Sequence, residues 1–312
     1  MTSTKKVSIV ICCYNEESNL PTVIKAIHEN MDKTGYRYEI IAVNDGSNDK
    51  SQSLLEQLCA EDPQLFYIEF SRNFGHQNAL KAGLDNATGD CIISMDADMQ
   101  HPPRMLPDFI KKWEEGYDIV YTKRMEDLSL SKRKRKSSSM FYKVLNIVSD
   151  IELEPGVADF RLMDRNAANI LINIKGGDLF IRGIVHWMGF KQYAIDYMPD
   201  KRLSGQTKYT FKKMRHLAMQ GILSFSTKPL HLALYLGFTI ALLSLLLVPY
   251  AIISLWSGHV MAGWVSQIIT IGFLGGLQLF ILGIIGLYIG RIFTQTKGFP
   301  PYIIRSTNIK ER

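Results

Sequence analysis

The first 125 residues alternate short apolar runs with segments whose apolar positions recur every three or four residues. Residues 7–13 form a β-rich run that ends at Tyr14-Asn15-Glu16, and Leu20, Val23, Ile24 and Ile27 follow at helical spacing. The same alternation predicts further strands over 38–44, 65–70, 91–96 and 119–122, and helices over 51–59, 79–87 and 105–113. Near-continuous apolar strands separated by helices predict an α/β fold with a mostly parallel sheet covered by helices on both faces. Ligands of such sheets bind at the carboxyl ends of the strands. Four polar clusters follow strands: Tyr14-Asn15-Glu16, Asp45-Gly46-Ser47, Ser71-Arg72-Asn73 and Asp96-Ala97-Asp98.

The pattern changes past residue 200. Lys201, Arg202, Lys208, Lys212, Lys213, Arg215 and Lys228 occupy 201–230 without an acid, while Phe211, Met214, Leu217, Ala218, Ile222 and Phe225 recur among them at three- and four-residue steps. That predicts a basic amphipathic helix lying in a membrane interface. From His231 to Gly290 there is no Asp, Glu, Lys or Arg. Residues 232–256 and 264–288 each exceed the ~20 residues that cross a bilayer, so two transmembrane helices are expected, the first kinked at Pro249. One long buried helical hairpin in a soluble protein is the alternative. The 257–263 hairpin lacks Lys and Arg, whereas Lys228, Arg291, Lys297 and Arg305 flank the outer ends, which places both termini in the cytoplasm. The pairs Gly272/Gly276 and Gly286/Gly290 could pack the two helices together or join protomers of a homo-oligomer. The expected organisation is a cytoplasmic domain over 1–200, a juxtamembrane segment over 201–230, a hairpin over 231–290 and a cytoplasmic tail over 291–312.

Composition narrows the class. An apolar content of 46% and only four cysteines exclude disorder and a disulfide scaffold. Cys12, Cys13, Cys59 and Cys91 lack zinc-site spacing and read as reduced thiols of a cytosolic domain. The polar start, residues 1–6, followed by a short apolar run, is not expected to be a signal peptide. The net charge of +6 is not a nucleic-acid signature. Residues 201–312 carry 12 basic residues and one acid, Glu311, so residues 1–200 are net acidic. The basic excess lies beside the apolar block, where it would meet anionic headgroups.

Two carboxylates two residues apart at a strand end, Asp96 and Asp98, suit a hard cation, Mg²⁺ or Mn²⁺, with Gln100 and His101 close by as further donors. Alone this is a weak signal; three other polar strand ends at the same edge strengthen it. Asp45-Gly46-Ser47 offers an acceptor, a tight turn and a hydroxyl for a nucleoside. The basic run Lys132, Arg133, Lys134, Arg135, Lys136 and Lys143 is either a solvated loop or a phosphate-holding segment. Neither a Gly-x-Gly-x-x-Gly nor a Gly-x-x-x-x-Gly-Lys-Ser/Thr occurs, so dinucleotide redox chemistry and P-loop hydrolysis lack their usual phosphate cradle.

The ordered set of a strand into Tyr-Asn-Glu, a strand into Asn-Asp-Gly-Ser, Arg-Asn-Phe-Gly-His and Asp-Ala-Asp-Met-Gln-His-Pro-Pro resembles the inverting family 2 glycosyltransferases. Arg202–Tyr209 (Arg-Leu-Ser-Gly-Gln-Thr-Lys-Tyr) and the two apolar spans narrow the resemblance to the polyisoprenyl-phosphate glycosyltransferases. These include GtrB-type bactoprenol glucosyltransferases, dolichol-phosphate mannose synthases and ArnC-type transferases. The resemblance implies a GT-A type, Rossmann-like sheet in a bacterial inner-membrane enzyme. It implies transfer of a sugar from a nucleotide sugar to undecaprenyl phosphate with inversion, giving a lipid-linked monosaccharide for cell-surface glycans. UDP-glucose is the first choice of donor, with GDP-mannose, UDP-GlcNAc, UDP-galactose and modified pentoses open.

Residue by residue, Asp45 matches the acid at the nucleotide base, with Tyr14, Glu16, Gly46 and Ala97 in the same pocket. Asp96 and Asp98 match the metal pair, completed by Gln100. Asp159 matches the acceptor-side acid. Arg124, Arg135, Ser138, Arg202 and Lys208 match the lipid-phosphate or diphosphate positions. Thr122-Lys123-Arg124 departs from the Gly-Arg that family members often carry there. An acceptor phosphate is already a nucleophile at neutral pH and needs positioning more than deprotonation. Asp159 is therefore read first as orienting and second as a general base, with a salt bridge to Arg161 or Arg165 as the purely structural alternative. Arg202 joins the catalytic set, or else contacts headgroups only. His76 and His101 read as polar-pocket or structural residues. A processive polymer synthase lacks support because no Gln-x-x-Arg-Trp occurs. A flippase-associated protein with a regulatory nucleotide-sugar domain is the reading from another class.

Overall fold

The computed structural model describes residues 5–125, 156–174, 180–198, 226–257 and 263–310. The chain divides into two compact units. The first holds a sheet with the strands β1 (Lys6–Cys13), β2 (Arg37–Asn44), β3 (Leu65–Phe70), β4 (Cys91–Asp96), β5 (Ile119–Arg124), β6 (Val157–Asp164), β7 (Gln192–Tyr197) and β8 (Ile304–Thr307). Its helices are α1 (Leu20–Met31), α2 (Ser51–Glu61), α3 (His76–Asn86), α4 (Leu106–Glu114), α5 (Arg165–Asn173) and α6 (Ile181–Trp187).

The strand order is β7-β5-β6-β4-β1-β2-β3-β8. β1 pairs in parallel with β2 and β4, β2 with β3, and β5 with β7. β6 runs antiparallel between β4 and β5, and β8 runs antiparallel along β3. The expected mostly parallel sheet is therefore mixed, with six strands in one direction and two against them. β1 and β4 are buried along almost their whole length, as central strands covered on both faces must be. Val7, Ile9 and Ile11 of β1 share one buried core cluster with Leu20, Val23 and Ile27 of α1.

The strands and helices predicted over the first 125 residues are present, with α3 starting at His76 rather than 79. Gly75 precedes it at φ +96°, a conformation that favours glycine and breaks the chain sharply into the helix. The elements β6, α5, α6, β7 and β8 were not predicted. β6 reads Val-Ala-Asp-Phe-Arg-Leu-Met-Asp, whose charged residues mask a buried strand. Residues 291–312, expected as a tail, are different in the structure. Residues up to Thr296 continue a helix, and β8 completes the sheet edge, with Thr307 Oγ1 donating to the Tyr67 carbonyl at 2.7 Å.

The second unit contains two long helices, α7 (Lys228–Trp256) and α8 (Trp264–Thr296). Pro249 lies inside α7. Among the described residues, one stretch, Thr270–Thr296, is long and apolar enough to cross a membrane, and none of its hydrophobic window is buried. Ile281 approaches the α7 backbone at Gly237. No described side chain lies within 4 Å of a Cβ built at Gly272, Gly276, Gly286 or Gly290. The expected amphipathic helix, apart from its last residues, and the basic run at 132–143 lie outside the described residues, as do Arg135, Ser138, Arg202 and Lys208.

A close approach of α3 to the sheet positions the functional edge. A Cβ added at Gly83 would sit 2.1 Å from Cγ1 of Val10 on β1. Gly83→Ala is expected to destabilise the folded chain by about 1–3 kcal/mol through overpacking, read as a lowered midpoint in denaturant unfolding.

Candidate active site

The parallel register aligns the ends of β1, β2 and β4. Cys13 lies opposite Asn44, and Cys12 opposite Asp96. The residues that follow are tied together by backbone hydrogen bonds: the Asp45 N–H donates to the Cys13 carbonyl at 3.0 Å, and the Ala97 N–H to Cys12 at 3.3 Å. The result is an open pocket of about 200 Å³ lined by Tyr14, Glu16, Asp45, His76, Asp96, Ala97 and Asp98, with Cys12, Cys13 and Ala79 as its floor. Of the predicted nucleotide and metal residues, Tyr14, Glu16, Asp45, Asp96, Ala97 and Asp98 are thus brought together. Gly46 shapes the turn beneath, and Gln100 is not part of the lining.

Loop chemistry explains the positions. Asn15 adopts φ +56°, a left-handed conformation that asparagine tolerates. Its N–H donates to Ser47 Oγ and its side-chain oxygen accepts from the Asn48 N–H, locking the β1 loop to the β2 loop. Gly46 sits at φ +66°, and a Cβ there would lie 2.5 Å from the Arg72 carbonyl carbon. The Ser71–Gly75 loop therefore presses on the Asp45 turn. The Asp45 carboxylate accepts from the Phe74 N–H at 2.7 Å and the Gly75 N–H at 3.0 Å. Burial raises the Asp45 proton affinity above the ordinary carboxylate value, with the two backbone donors opposing it.

Asp96 is partly exposed and Asp98 buried. The Asp96 N–H donates to His101 Nδ1 at 3.0 Å, and the Gln100 N–H to Asp98 Oδ1 at 3.0 Å. His101 stacks on Phe160 with centroids 5.0 Å apart, the structural role expected of it. Asp96 and Asp98 offer hard oxygen donors on one pocket wall. Among the described residues no three His, Cys, Asp or Glu gather into a metal-holding group. The donor set therefore fits a divalent cation completed by ligand oxygens rather than a closed structural site.

Asp159 reaches the same edge from the opposite direction, because β6 is antiparallel and its start lies where β4 ends. The carboxylate is buried and accepts from Arg161 Nη2 at 2.9 Å, Arg182 Nε at 3.0 Å, Arg182 Nη2 at 2.7 Å and Gln77 Nε2 at 3.3 Å. Burial disfavours its charge, yet Arg182, His76 and Arg161 together hold it well below the usual carboxylate range. A carboxylate so stabilised as an anion is a poor proton acceptor, which favours the orienting role over the general base. The structural pairing with Arg161 is present; Arg165 instead donates to the carbonyls of Ala87 and Gly89.

His76 lies between the two acidic groups. Its Nδ1 is 3.6 Å from Asp96 Oδ1 and its Nε2 3.5 Å from Asp159 Oδ2. Desolvation opposes protonation, but the Asp96 and Asp159 carboxylates outweigh it and raise the imidazole well above its ordinary value. Burial pushes the neighbouring Cys12 thiol up, which makes it a poor nucleophile. Arg124 ends β5 in an exposed position opposite Tyr197 of β7 and is not part of the pocket lining. The Tyr197 hydroxyl is pushed up to about 12, chiefly by burial, with Asp96 and Asp98 adding to it.

Gln77, Arg182 and Tyr197 escaped the sequence reading. Arg182 alone left a signal, as the one Arg or Lys in the Ile181–Trp187 helix.

The chain matches the model of glycosyl transferase family 2 over residues 8–185. It is 42% identical over 303 residues to the uncharacterized glycosyltransferase YkcC of Bacillus subtilis (strain 168), covering 96% of this chain and 93% of that one. It is 38% identical to the prophage bactoprenol glucosyl transferase homolog of Escherichia coli (strain K12), over 96% and 98% of the two chains. Identity to the bactoprenol glucosyl transferase of Shigella phage SfX is also 38%, over 96% and 99%. A mannosyltransferase from Pyrobaculum calidifontis, solved in complex with GDP-Man and Mn2+, is similar at TM-score 0.46 and 21% identity, over 71% of this chain and 63% of that one. The chain belongs to glycosyl transferase family 2 and is a glycosyltransferase.

The two acids should separate by experiment. Asp159→Ala strands the buried Arg161 guanidinium and is expected to cost about 3–5 kcal/mol of stability. Asp98→Asn is expected to leave the thermal midpoint within about 1 °C of the parent while losing turnover. Parallel melting curves and activity measurements check both.

Proposed function

We propose that this protein transfers glucose from UDP-glucose to undecaprenyl phosphate with inversion, at the cytoplasmic surface of a bacterial inner membrane. The observation that carries the proposal is the convergence of Tyr14, Glu16, Asp45, Asp96 and Asp98 in one pocket at the sheet edge. Relatives 38% identical over nearly the whole chain are named for glucosyl transfer involving bactoprenol, which supports this acceptor and sugar. In this reading Tyr14, Glu16, Asp45, Gly46 and Ala97 take the nucleoside, and Asp96 and Asp98, with Gln100, hold Mg²⁺ or Mn²⁺. The bound cation would neutralise charge developing on the nucleoside diphosphate.

The chain's own residues do the rest. The acceptor is a phosphate monoester, already anionic, so the site has to orient it rather than deprotonate it. Asp159, fixed between Arg161 and Arg182, supports an orienting frame beside the sugar. Arg124, Arg135, Ser138, Arg202 and Lys208 supply cationic and hydrogen-bonding contacts for the phosphates. Attack opposite the diphosphate inverts the anomeric centre.

The membrane arrangement belongs to the same proposal. Leu234, Tyr235 and Phe238 of α7 and Phe273, Leu279 and Phe280 of α8 are all more than half exposed. Such surface suits lipid rather than water. β8 follows α8 in the chain yet pairs in the same sheet as β1 to β7, so any crossing made by α8 has to be reversed. That supports α7 as a second span, and the basic flanks Lys228, Arg291, Lys297 and Arg305 support the cytoplasmic side for the sheet. Two helices without charged residues in their apolar cores offer no polar path, which leaves the transport reading without support.

Membranes containing the protein, incubated with undecaprenyl phosphate, Mn²⁺ and a panel of nucleotide sugars, are expected to yield lipid-linked glucose from UDP-glucose. Asp98→Asn should give none. Absence of product from every donor would refute the proposal; product from another donor would replace glucose alone. A cysteine introduced at Ser257 should react with an impermeant maleimide added to spheroplasts. One at Lys310 should react only after permeabilisation, and reaction of both before it would reject the two-span arrangement.

A further inference from the structure

We propose that Tyr302 and Arg305, which follow α8 in the chain, are positioning residues for the nucleotide pocket. The proposal rests on the reading of Asp45 as a nucleoside contact. The chain of contacts begins at β8. Its antiparallel pairing places Ile304 opposite Phe70, at the carboxyl end of β3, with a bulge between Glu69 and Phe70. The Ser71 N–H donates to the Ile303 carbonyl at 3.0 Å. Arg305 Nη2 donates to the Ser71 carbonyl at 2.8 Å, and its Nη1 reaches Glu69 Oε1 at 3.2 Å. Both backbone groups of Ser71 are thus held by the segment that follows α8.

Tyr302 acts one layer deeper. Its ring stacks on Phe70 with centroids 5.1 Å apart and planes within 11°. Phe70 in turn meets Phe74 edge-on at 5.7 Å. The Tyr302 hydroxyl donates to Asp85 Oδ2 at 2.8 Å, which ties the segment to α3 on the far side of the same loop. The loop between these anchors, Ser71–Gly75, is the one whose Phe74 and Gly75 N–H groups hold the Asp45 carboxylate. Asn73 Nδ2 adds a bond to the Asp45 carbonyl at 3.2 Å. Three aromatic rings and one guanidinium therefore connect residues 302–305 to the orientation of Asp45, although none of them lines the pocket.

A purely structural edge strand would lower overall stability and affect both substrates alike. A positioning role affects the donor alone. The test uses the full-length chain in detergent, with UDP and GDP, each with Mn²⁺, as binding probes. Tyr302→Ala and Arg305→Ala are expected to weaken binding of the nucleotide the parent prefers by about tenfold. The donor KM should rise in parallel, and the undecaprenyl-phosphate KM should stay unchanged. Tyr302→Phe keeps the stack and should bind nucleotide within about twofold of the parent. The Arg305 side chain is 61% exposed, so Arg305→Ala provides a folded variant even if Tyr302→Ala melts. Unchanged nucleotide affinity in the folded alanine variants, or an equal rise in both KM values, overturns the proposal. Asp45→Ala separates the two readings. If it loses nucleotide binding while Arg305→Ala does not, only the positioning role fails; if it binds as the parent does, the pocket assignment fails first and takes the positioning role with it.

Discussion

The site depends on one constraint, the register of three parallel strands. Cys12 is held opposite both Val43 and Asp96, and Cys13 opposite Asn44, so the three loops leave the sheet at one level. A slip of one residue in β1 would move Val10 away from the space Gly83 leaves for it and Ser8 away from the buried Glu39 carboxylate, and close packing on both faces makes that costly. The backbone bonds from Asp45 to Cys13 and from Ala97 to Cys12 extend that register one step beyond the sheet. Short polar side chains then reach a common volume without any long loop having to order itself.

Charge at this edge is arranged around a buried anion. Asp159 would be expensive to bury alone, and two guanidinium groups and an imidazole make its ionised form the stable one. The arrangement fixes Arg182 and His76 as much as it fixes Asp159. A transferase whose acceptor is already an anion needs this kind of fixed polar frame more than it needs a base. The low proton affinity of Asp159 and the expected chemistry therefore agree.

The fold also returns to its own edge after the two long helices. β8 covers the otherwise open side of β3, with Ser306 donating to Glu69 and Asn308 accepting from the Tyr67 N–H. Covering an edge strand protects against pairing with other chains. Here it also sets a loop that bears on Asp45, so sheet completion and pocket geometry use the same residues.

Periodicity in the first 125 residues determined five strands, four helices and the polar strand ends at Tyr14, Asp45 and Asp96, because parallel central strands are apolar throughout and their ends are abrupt. The uncharged stretch after residue 230 likewise determined two long helices. Neither pattern could reveal Asp159. A site residue on an antiparallel strand lies near that strand's start, and β6 carries buried charges whose partners come from elsewhere in the chain. Asp159 was reached by family resemblance, while its partners Arg182 and Gln77 emerged only in the fold. β8 is four residues long and mostly exposed, so nothing in its local composition separates it from a solvated tail. Its strand character comes entirely from the unpaired edge of β3, roughly 240 residues earlier in the chain. Local pattern records which faces must be buried; which distant groups neutralise a buried charge or complete an edge is decided by tertiary contact alone.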